Sequence, residues 1–438
     1  MMKSLAAVLL ILALVACGQT ESAGQPSPTA ASEPTVGVLP PATPTEAASP
    51  TVVPTLDAEP SPSATVEAAP ELTVVDFPEA RSVSVAAVAD GTVYVALGQR
   101  ENLFVARSSD GGASFDAPVQ ANLDAPAFVM AIERPAIVAD ESGRVSVGWL
   151  QAGLVWYALS EDGGRTFGPS RQVTSTPREF PTLLGMGVDE EHNPVLAWLE
   201  GHGSLSVARF HDGGNSFPVS RVMEHRVCDC CQPQPVVVGG QVLVAYRNLE
   251  EGEGGRDIRD IYVLRSGDDG ETFEEVRVSD EAWYFPACPI SGPSLVTDGE
   301  QVYASWMDGR NDDEGDLSET DIWFAASADG GQTFSRNVRV NPESEPGYYH
   351  NLPSLAVADD GRLHIVWETD EDVRHVLYYA SSSDGGQMWA APQVITSSDD
   401  GTERGRPQYA TLVAGGEGRL HVSWVDNLGA HVASWTGE

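Results

Sequence analysis

The sequence predicts an all-β chain folded as a β-propeller of seven blades, each a four-stranded antiparallel sheet, with six blades as the alternative. Three observations predict it. One eight-residue stretch is written six times: SSDGGASF from Ser108, SEDGGRTF from Ser160, FHDGGNSF from Phe210, SGDDGETF from Ser266, SADGGQTF from Ser327 and SSDGGQMW from Ser382. The apolar segments TVYVALG, RVSVGWL, NPVLAWL, QVLVAYR, QVYASWM, RLHIVWE and RLHVSWV align on Leu97, Trp149, Trp198, Tyr246, Trp306, Trp367 and Trp424, at intervals of 48 to 61 residues. The last full unit reads as four short alternating segments parted by turns: LPSLAVAD, LHIVWE, VLYYAS and, after the repeated stretch, PQVIT.

Seven second strands stand against six repeats. The final unit has QYATLV, RLHVSWV and AHVASW and then stops, one strand short. ELTVVDF, at Glu71–Phe77, precedes the first complete unit and has no partner of its own. If it supplies the missing outer strand, the ring closes between the two ends of the chain and leaves no open sheet edge.

Before the propeller, residues 1–16 read as a signal peptide. MMKSLAAVLLILALVACGQT carries one lysine, Lys3, ahead of an apolar run too short to span a bilayer. Its end, Leu14-Val15-Ala16-Cys17, resembles the lipobox of bacterial lipoproteins. The resemblance implies an acylated Cys17 that holds an exported protein to a lipid membrane, facing the periplasm or the cell exterior. Residues 17–70 continue as a disordered tether, with eleven prolines and no aromatic or basic residue from Gly18 to Pro70. Residues 71–438 form the propeller.

Lys3 is the sole lysine, so the processed chain sets 24 arginines against 64 carboxylates, a net charge of −40. That excludes nucleic acid as a partner and suits an exported, soluble domain.

Within the repeated stretch, Asp110, Asp162, Asp212, Asp268, Asp329 and Asp384 accept backbone N–H bonds in a turn between third and fourth strands. The glycine pair allows positive φ, and the closing Phe or Trp packs between blades. These residues resemble the Asp box, or BNR repeat, of the sialidase superfamily, over roughly the last five-sixths of the chain. The resemblance implies a structural role for the six aspartates, away from the active site.

Propeller geometry puts the boxes on one face and the second-to-third loops and blade connectors on the other. The irregular loops gather there: RNLEEGEGGRDIRD from Arg247, MDGRNDDEGDLSETD from Met307, ETDEDVR from Glu368, EHRVCDCCQP from Glu224, DEAWYFPACPISGP from Asp280, EPGYYHN from Glu345 and GTERGRP from Gly401. The reading places a ligand site on this face over blades four to six. Its residues are Arg247, Asn248, Arg259, Asp260, Trp283, Arg310, Tyr348 and Tyr349. Aromatic rings stack on sugar faces and arginines hold acidic groups, so the expected ligand is a glycan. A surface protein is the alternative partner.

The sialidase resemblance further implies a Tyr nucleophile, a carboxylate partner, a separate acid and three arginines that grip a substrate carboxylate. Arg81, Arg134, Arg247, Arg310 and Arg406 stand at matching loop positions, with Tyr348, Tyr349 and Glu345 as the other catalytic candidates. The family's F/Y-R-I-P motif is missing; Glu133-Arg134-Pro135-Ala136 is the nearest stretch. An exo-acting glycoside hydrolase is therefore the alternative to a binding module, and a cell-surface scaffold the third reading.

Four cysteines lie in the propeller: Cys228, Cys230, Cys231 and Cys288. An exported chain favours two disulfides, with Cys230 or Cys231 reaching Cys288, because a bond between those two neighbours is strained. The competing reading joins His225 to these sulfurs as a thiolate-rich site for Cu(I) or Zn. The pattern CDCC, YRN, ACP-x-SGP looks like a bacterial subgroup of BNR-repeat proteins. Asp308, Asp312 and Asp316 offer carboxylates to Ca²⁺, or form a solvated acidic loop.

Overall fold

The computed structural model describes residues 70–174, 181–189, 191–211, 217–223, 226–252, 257–268, 270–310, 319–342, 348–371, 374–398 and 405–437. Cys17, the signal segment, nearly all of the tether, Asp212, His225, Asp312, Asp316 and Glu345 lie outside the described residues.

Seven four-stranded sheets form a seven-bladed propeller, joined by one small two-stranded ribbon. Blade one begins at Ser82, blade two at Ala136, blade three at Thr182, blade four at Gln234, blade five at Ser294, blade six at Tyr349 and blade seven at Gln408. Each runs from an inner strand at the axis to a fourth strand at the rim. The ribbon pairs Glu250–Glu251 with Asp257–Ile258 in the acidic loop after Arg247.

Blade seven is completed from the other end of the chain. Thr73–Phe77 pairs antiparallel with Ala430–Thr436, with Val74 opposite Ala433 and Phe77 opposite Ala430. The expected closure is thus present.

The core is divided into seven apolar clusters, one at each blade-to-blade interface. Their anchors are the aligned second-strand residues: Trp198, Trp306, Tyr246 and Leu97 are fully buried and Trp149, Trp367 and Trp424 nearly so. The seventh cluster packs Val83, Val85 and Val95 of blade one on Val425, Ala430 and Val432 of blade seven, and so carries the seam.

The five described boxes share one hydrogen-bond pattern. In the box at Ser327, its hydroxyl donates to Asp329 Oδ1 at 2.8 Å and accepts the Gly331 N–H at 2.8 Å. The Thr333 N–H and hydroxyl donate to the two Asp329 oxygens at 2.9 and 2.7 Å. These donors favour the carboxylate. Asp110, Asp162, Asp268 and Asp329 are accordingly held at about 2, with the Ser or Thr hydroxyl as the largest cause. Asp384 is also lowered, chiefly by the Met388 N–H, since Met388 brings no hydroxyl. The second box glycine lies against the preceding blade. At Gly386, φ is 86° and an added Cβ would meet Phe324 Cε1 at 2.0 Å, so glycine is required twice over.

The Gly163 N–H donates to Gly143 O, which places that box beside the first-to-second turn of its own blade. The connectors bond instead to second-to-third ends, as in Phe128 N–H to Leu150 O and Cys228 N–H to Arg247 O. The two faces are segregated as expected.

Replacing Asp329 with Ala removes three accepted bonds from one box and should lower the unfolding free energy by about 1–2 kcal/mol at pH 7, measured by urea denaturation. The folded pKa lies below the ordinary value of 3.8, so this stabilisation is present above that pH and is lost as pH falls toward 2. The gap between wild type and variant should close over that window.

Candidate functional site

The inner strands enter the axis from the connector face, and their starts are unusual. Leu183, Ile290, Leu352 and Tyr409 carry φ of 55°, 53°, 47° and 55°. These stand at or just before the inner strands of blades three, five, six and seven. Three of those strands also slip register against their second strand at this point. Left-handed backbone at a bulky residue costs roughly 1–3 kcal/mol and persists where surroundings over-determine it. Here the freed N–H groups meet side-chain acceptors: Leu183 N–H bonds Glu133 Oε2 at 2.9 Å and Ala410 N–H bonds Glu368 Oε1 at 3.1 Å.

Arg134 reaches across this mouth. Its Nη1 donates to Tyr409 O of blade seven at 2.8 Å, and its Nη2 donates to Gln232 Oε1, just before blade four, at 2.6 Å. Gln232 in turn donates to Leu184 O of blade three at 2.7 Å. An axial cavity of about 380 Å³ lies among the inner strands. A smaller one of about 80 Å³ adjoins it, and Arg134, Gln232 and Ser354 line both. Burial lowers the Arg134 pKa, against pulls from Glu368 and Tyr409.

Glu368 lies in the second strand of blade six, Leu363–Glu371, beside this guanidinium. Burial pushes its carboxyl up to about 8, although the Ala410 N–H, Arg134 and Arg406 favour its charge. It is therefore a neutral acid at pH 7. Burial, then Glu368, raises the Tyr409 phenol. At the rim of the mouth Arg406 Nη2 meets Asp370 Oδ2 at 2.8 Å, and Asp370 also meets His375 Nδ1 at 2.5 Å. The arrangement joins two cations, a neutral carboxylic acid and a phenol at one axial opening. It can grip an anion and donate a proton.

Of the arginines expected at the site, Arg134 and Arg406 reach this mouth. The others do not. Arg81 is exposed and bonds Pro78 O and Ala80 O. Arg247 is fully buried. It donates to Ser291 O, Arg259 O and Met307 O at 3.0, 2.7 and 2.7 Å, with Trp283 5.1 Å from its Cζ. Arg310 is clamped by Asp308 at 2.6 Å and Asp280 at 2.7 Å and lies over Trp323.

Most of the residues expected at a ligand site over blades four to six serve the protein's own packing. Asn248, Arg259, Asp260 and Trp283 are buried. Asp260 accepts from Arg277 at 2.6 Å and from the Trp283 N–H at 2.9 Å. Trp283 stacks on Phe285 with centroids 5.1 Å apart, so its face is covered. Tyr349 is part-buried and its hydroxyl donates to Pro289 O; Tyr348 packs edge-on to His350. Asp308 serves Arg310 and accepts from Trp306 Nε1 at 2.8 Å, so it is not a free cation ligand. Glu368 and Tyr409 were missed as site residues.

The four cysteines converge between the connectors into blades four and five. Cys230 and Cys288 form a disulfide, which matches one expected bridge. The second bridge is corrected: Cys228 and Cys231 are buried free thiols with sulfurs 3.0 Å apart. The hydrogen bond from Cys231 lowers Cys228 to about 7, against burial and with help from Arg259; burial raises Cys231.

No protein-family model and no curated protein matches the chain. Solved structures do. A polysaccharide lyase of family PL25, an ulvan lyase bound to -[GlcA(1-4)Rha3S]-, is similar at 13% identity and a TM-score of 0.52, over 82% of this chain and 97% of that one. A second structure under that lyase name gives 0.51 at 13% identity, with the same coverage of each chain. A sialidase of Trypanosoma rangeli in complex with the inhibitor DANA gives 0.46 at 14% identity, over 72% of this chain and 60% of that one. At these identities the likeness speaks for the fold. Fold and mouth together define a β-propeller with a charged axial opening.

If Arg247 is an internal strut, Arg247→Ala should cost about 3–5 kcal/mol of stability in chemical denaturation, because three buried carbonyls lose their donor. Arg247→Lys should recover only part. A variant as stable as wild type would return Arg247 to the ligand-contacting class.

Proposed function

We propose that this chain is an exported, lipid-anchored propeller, held to the bacterial membrane through acylated Cys17, whose axial mouth binds an acidic glycan. One observation carries the reading. Arg134, Arg406, Glu368 and Tyr409 come from three blades and are electrostatically coupled at one opening. Charge supports it too. Arg134 and Arg406 bring two guanidiniums to an opening where burial pushes the Glu368 carboxyl up, in a strongly anionic protein. A uronate or sialate carboxylate fits that need, with arginine as its geometric partner. The polysaccharide chemistry named for the similar lyase agrees with this choice of ligand class without establishing it.

A second reading, turnover, is favoured by the coupling of Tyr409 to Glu368 and Arg134. That set matches in kind the tyrosine, carboxylate and arginine that the sialidase resemblance implies, on Tyr409 rather than Tyr348 or Tyr349. In this reading Glu368 is the proton donor.

Isothermal titration with a uronate-terminated or sialylated oligosaccharide should show binding at pH 6–7 that weakens as pH rises through about 8. Ionised Glu368 then neutralises the arginines. Glu368→Gln should flatten this pH dependence, and Arg134→Gln should weaken binding at least tenfold. Equal affinity for neutral and acidic sugars would sink the acidic-glycan reading. Release of fluorophore from an acidic glycoside, abolished in Tyr409→Phe, would select the enzyme over the binding module.

A further inference from the structure

The four cysteines form two pairs that differ in access. Cys228 and Cys231 are buried free thiols in the connector into blade four. Cys230 and Cys288 form the disulfide that ties this connector to the one into blade five. Cys230 is half-buried and Cys288 is exposed. The inner pair thus holds two thiols, and the outer pair holds a bond that solvent reaches.

One sulfur touches both pairs. Cys228 Sγ lies 3.4 Å from Cys230 Sγ and 3.0 Å from Cys231 Sγ. The sulfurs of Cys230 and Cys231 are farther apart, at 3.9 Å. Cys228 therefore stands between the disulfide and the second thiol. Exchange needs a thiolate in contact with a disulfide sulfur and a leaving sulfur that can escape. Cys228 meets the first condition, and exposed Cys288 meets the second.

The surroundings select Cys228 as the attacking group. Arg259 Nη1 donates to its sulfur at 3.2 Å. The hydrogen bond from Cys231 chiefly, then the buried Arg259 and Arg247 guanidiniums, favour the Cys228 thiolate against burial. Burial keeps Cys231 a thiol. The inner pair thus carries a single charge, on the sulfur closer to the disulfide. A thiolate beside a guanidinium is the reactive form of cysteine.

We propose that the four cysteines are a disulfide relay, in which Cys228 attacks Cys230, frees Cys288 at the surface and so passes the two electrons of the inner dithiol to an external disulfide. In the first step a bond forms from the Cys228 thiolate to Cys230 Sγ. The Cys230–Cys288 bond breaks, and Cys288 leaves with its electron pair and takes a proton from water. In the second step Cys231 Sγ bonds Cys228 Sγ and the Cys228–Cys230 bond breaks. Cys230 leaves with the proton that Cys231 gives up. The inner pair is then the disulfide and the outer pair the dithiol, with no oxidant drawn from outside. The outer dithiol reduces an external R–S–S–R to two R–SH and closes again as a disulfide. The relay shares no residue with the axial mouth, so it stands apart from the glycan reading.

The test uses the full chain as isolated, in detergent without reductant. The native protein is treated with a bulky maleimide and unfolded in acid, and the state of each cysteine is read by peptide mass spectrometry. The account expects the label on Cys288, with Cys228 bonded to Cys230 or to Cys231. Cys231→Ala should halt after the first step, with Cys288 labelled and Cys228 bonded to Cys230. Cys228→Ala should slow labelling of Cys288 at least tenfold. The wild-type map decides the matter even if a variant fails to fold. In parallel arms the unlabelled chain should reduce one equivalent of glutathione disulfide, if its substrate is a small molecule, or of an insulin disulfide, if its substrate is a protein. Four results would each overturn the proposal: label on Cys228 or Cys231 with the Cys230–Cys288 bond intact, no label on a chain that keeps that bond, two disulfides in the chain as isolated, or reduction of neither glutathione disulfide nor insulin.

Discussion

Everything in this molecule depends on one strand pairing. Thr73–Phe77 lies along Ala430–Thr436, residues separated by most of the chain, and completes blade seven. Without it the last blade ends at an open edge whose N–H and C=O groups have no partner. The seam is also the seventh apolar interface, where blade one packs on blade seven. His431 reinforces it, with Nδ1 2.8 Å from Asp76 across the joined strands. A closed ring fixes the radius of the axis, and with it the distances that Arg134 must span to Tyr409 on one side and Gln232 on another.

Closure also explains why the two faces differ. The boxes repeat one hydrogen-bond set because each satisfies the same turn against the preceding blade. The connectors face no such uniform demand, so they vary in length and content. Left-handed residues at Leu183, Ile290, Leu352 and Tyr409 show where that freedom is used. Leu183, Leu352 and Tyr409 each sit where an inner strand slips register as it enters the axis, and strain of this kind concentrates at functional openings. The site in turn rests on burial, since the Glu368 proton is held by desolvation rather than by a neighbouring acid.

The fold was legible because a propeller repeats its instructions. The boxes, the second-strand aromatics and the orphan strand before blade one were each visible as pattern. The site was legible in part. Arg134 and Arg406 were found from loop position. Glu368 carried a signal that went unused: at the residue after the aligned aromatic, the seven second strands hold Gly98, Leu150, Leu199, Arg247, Met307, Glu368 and Val425. Two charged residues break that row, and both prove to be special, one as a strut and one at the mouth. Tyr409 gave no comparable sign, because its place depends on a backbone twist that a non-glycine residue does not advertise. Trp283 misled because an aromatic in a long loop reads as exposed until Phe285 and Arg247 are seen to cover it.

The most direct test of the closed ring compares two chains, one beginning at residue 71 and one beginning at residue 79. Thermal unfolding and light scattering are measured on both. The shorter chain should melt several degrees lower and self-associate through the bared edge of Ala430–Thr436. Equal melting temperatures with both chains monomeric would contradict closure, and with it the geometry of the mouth.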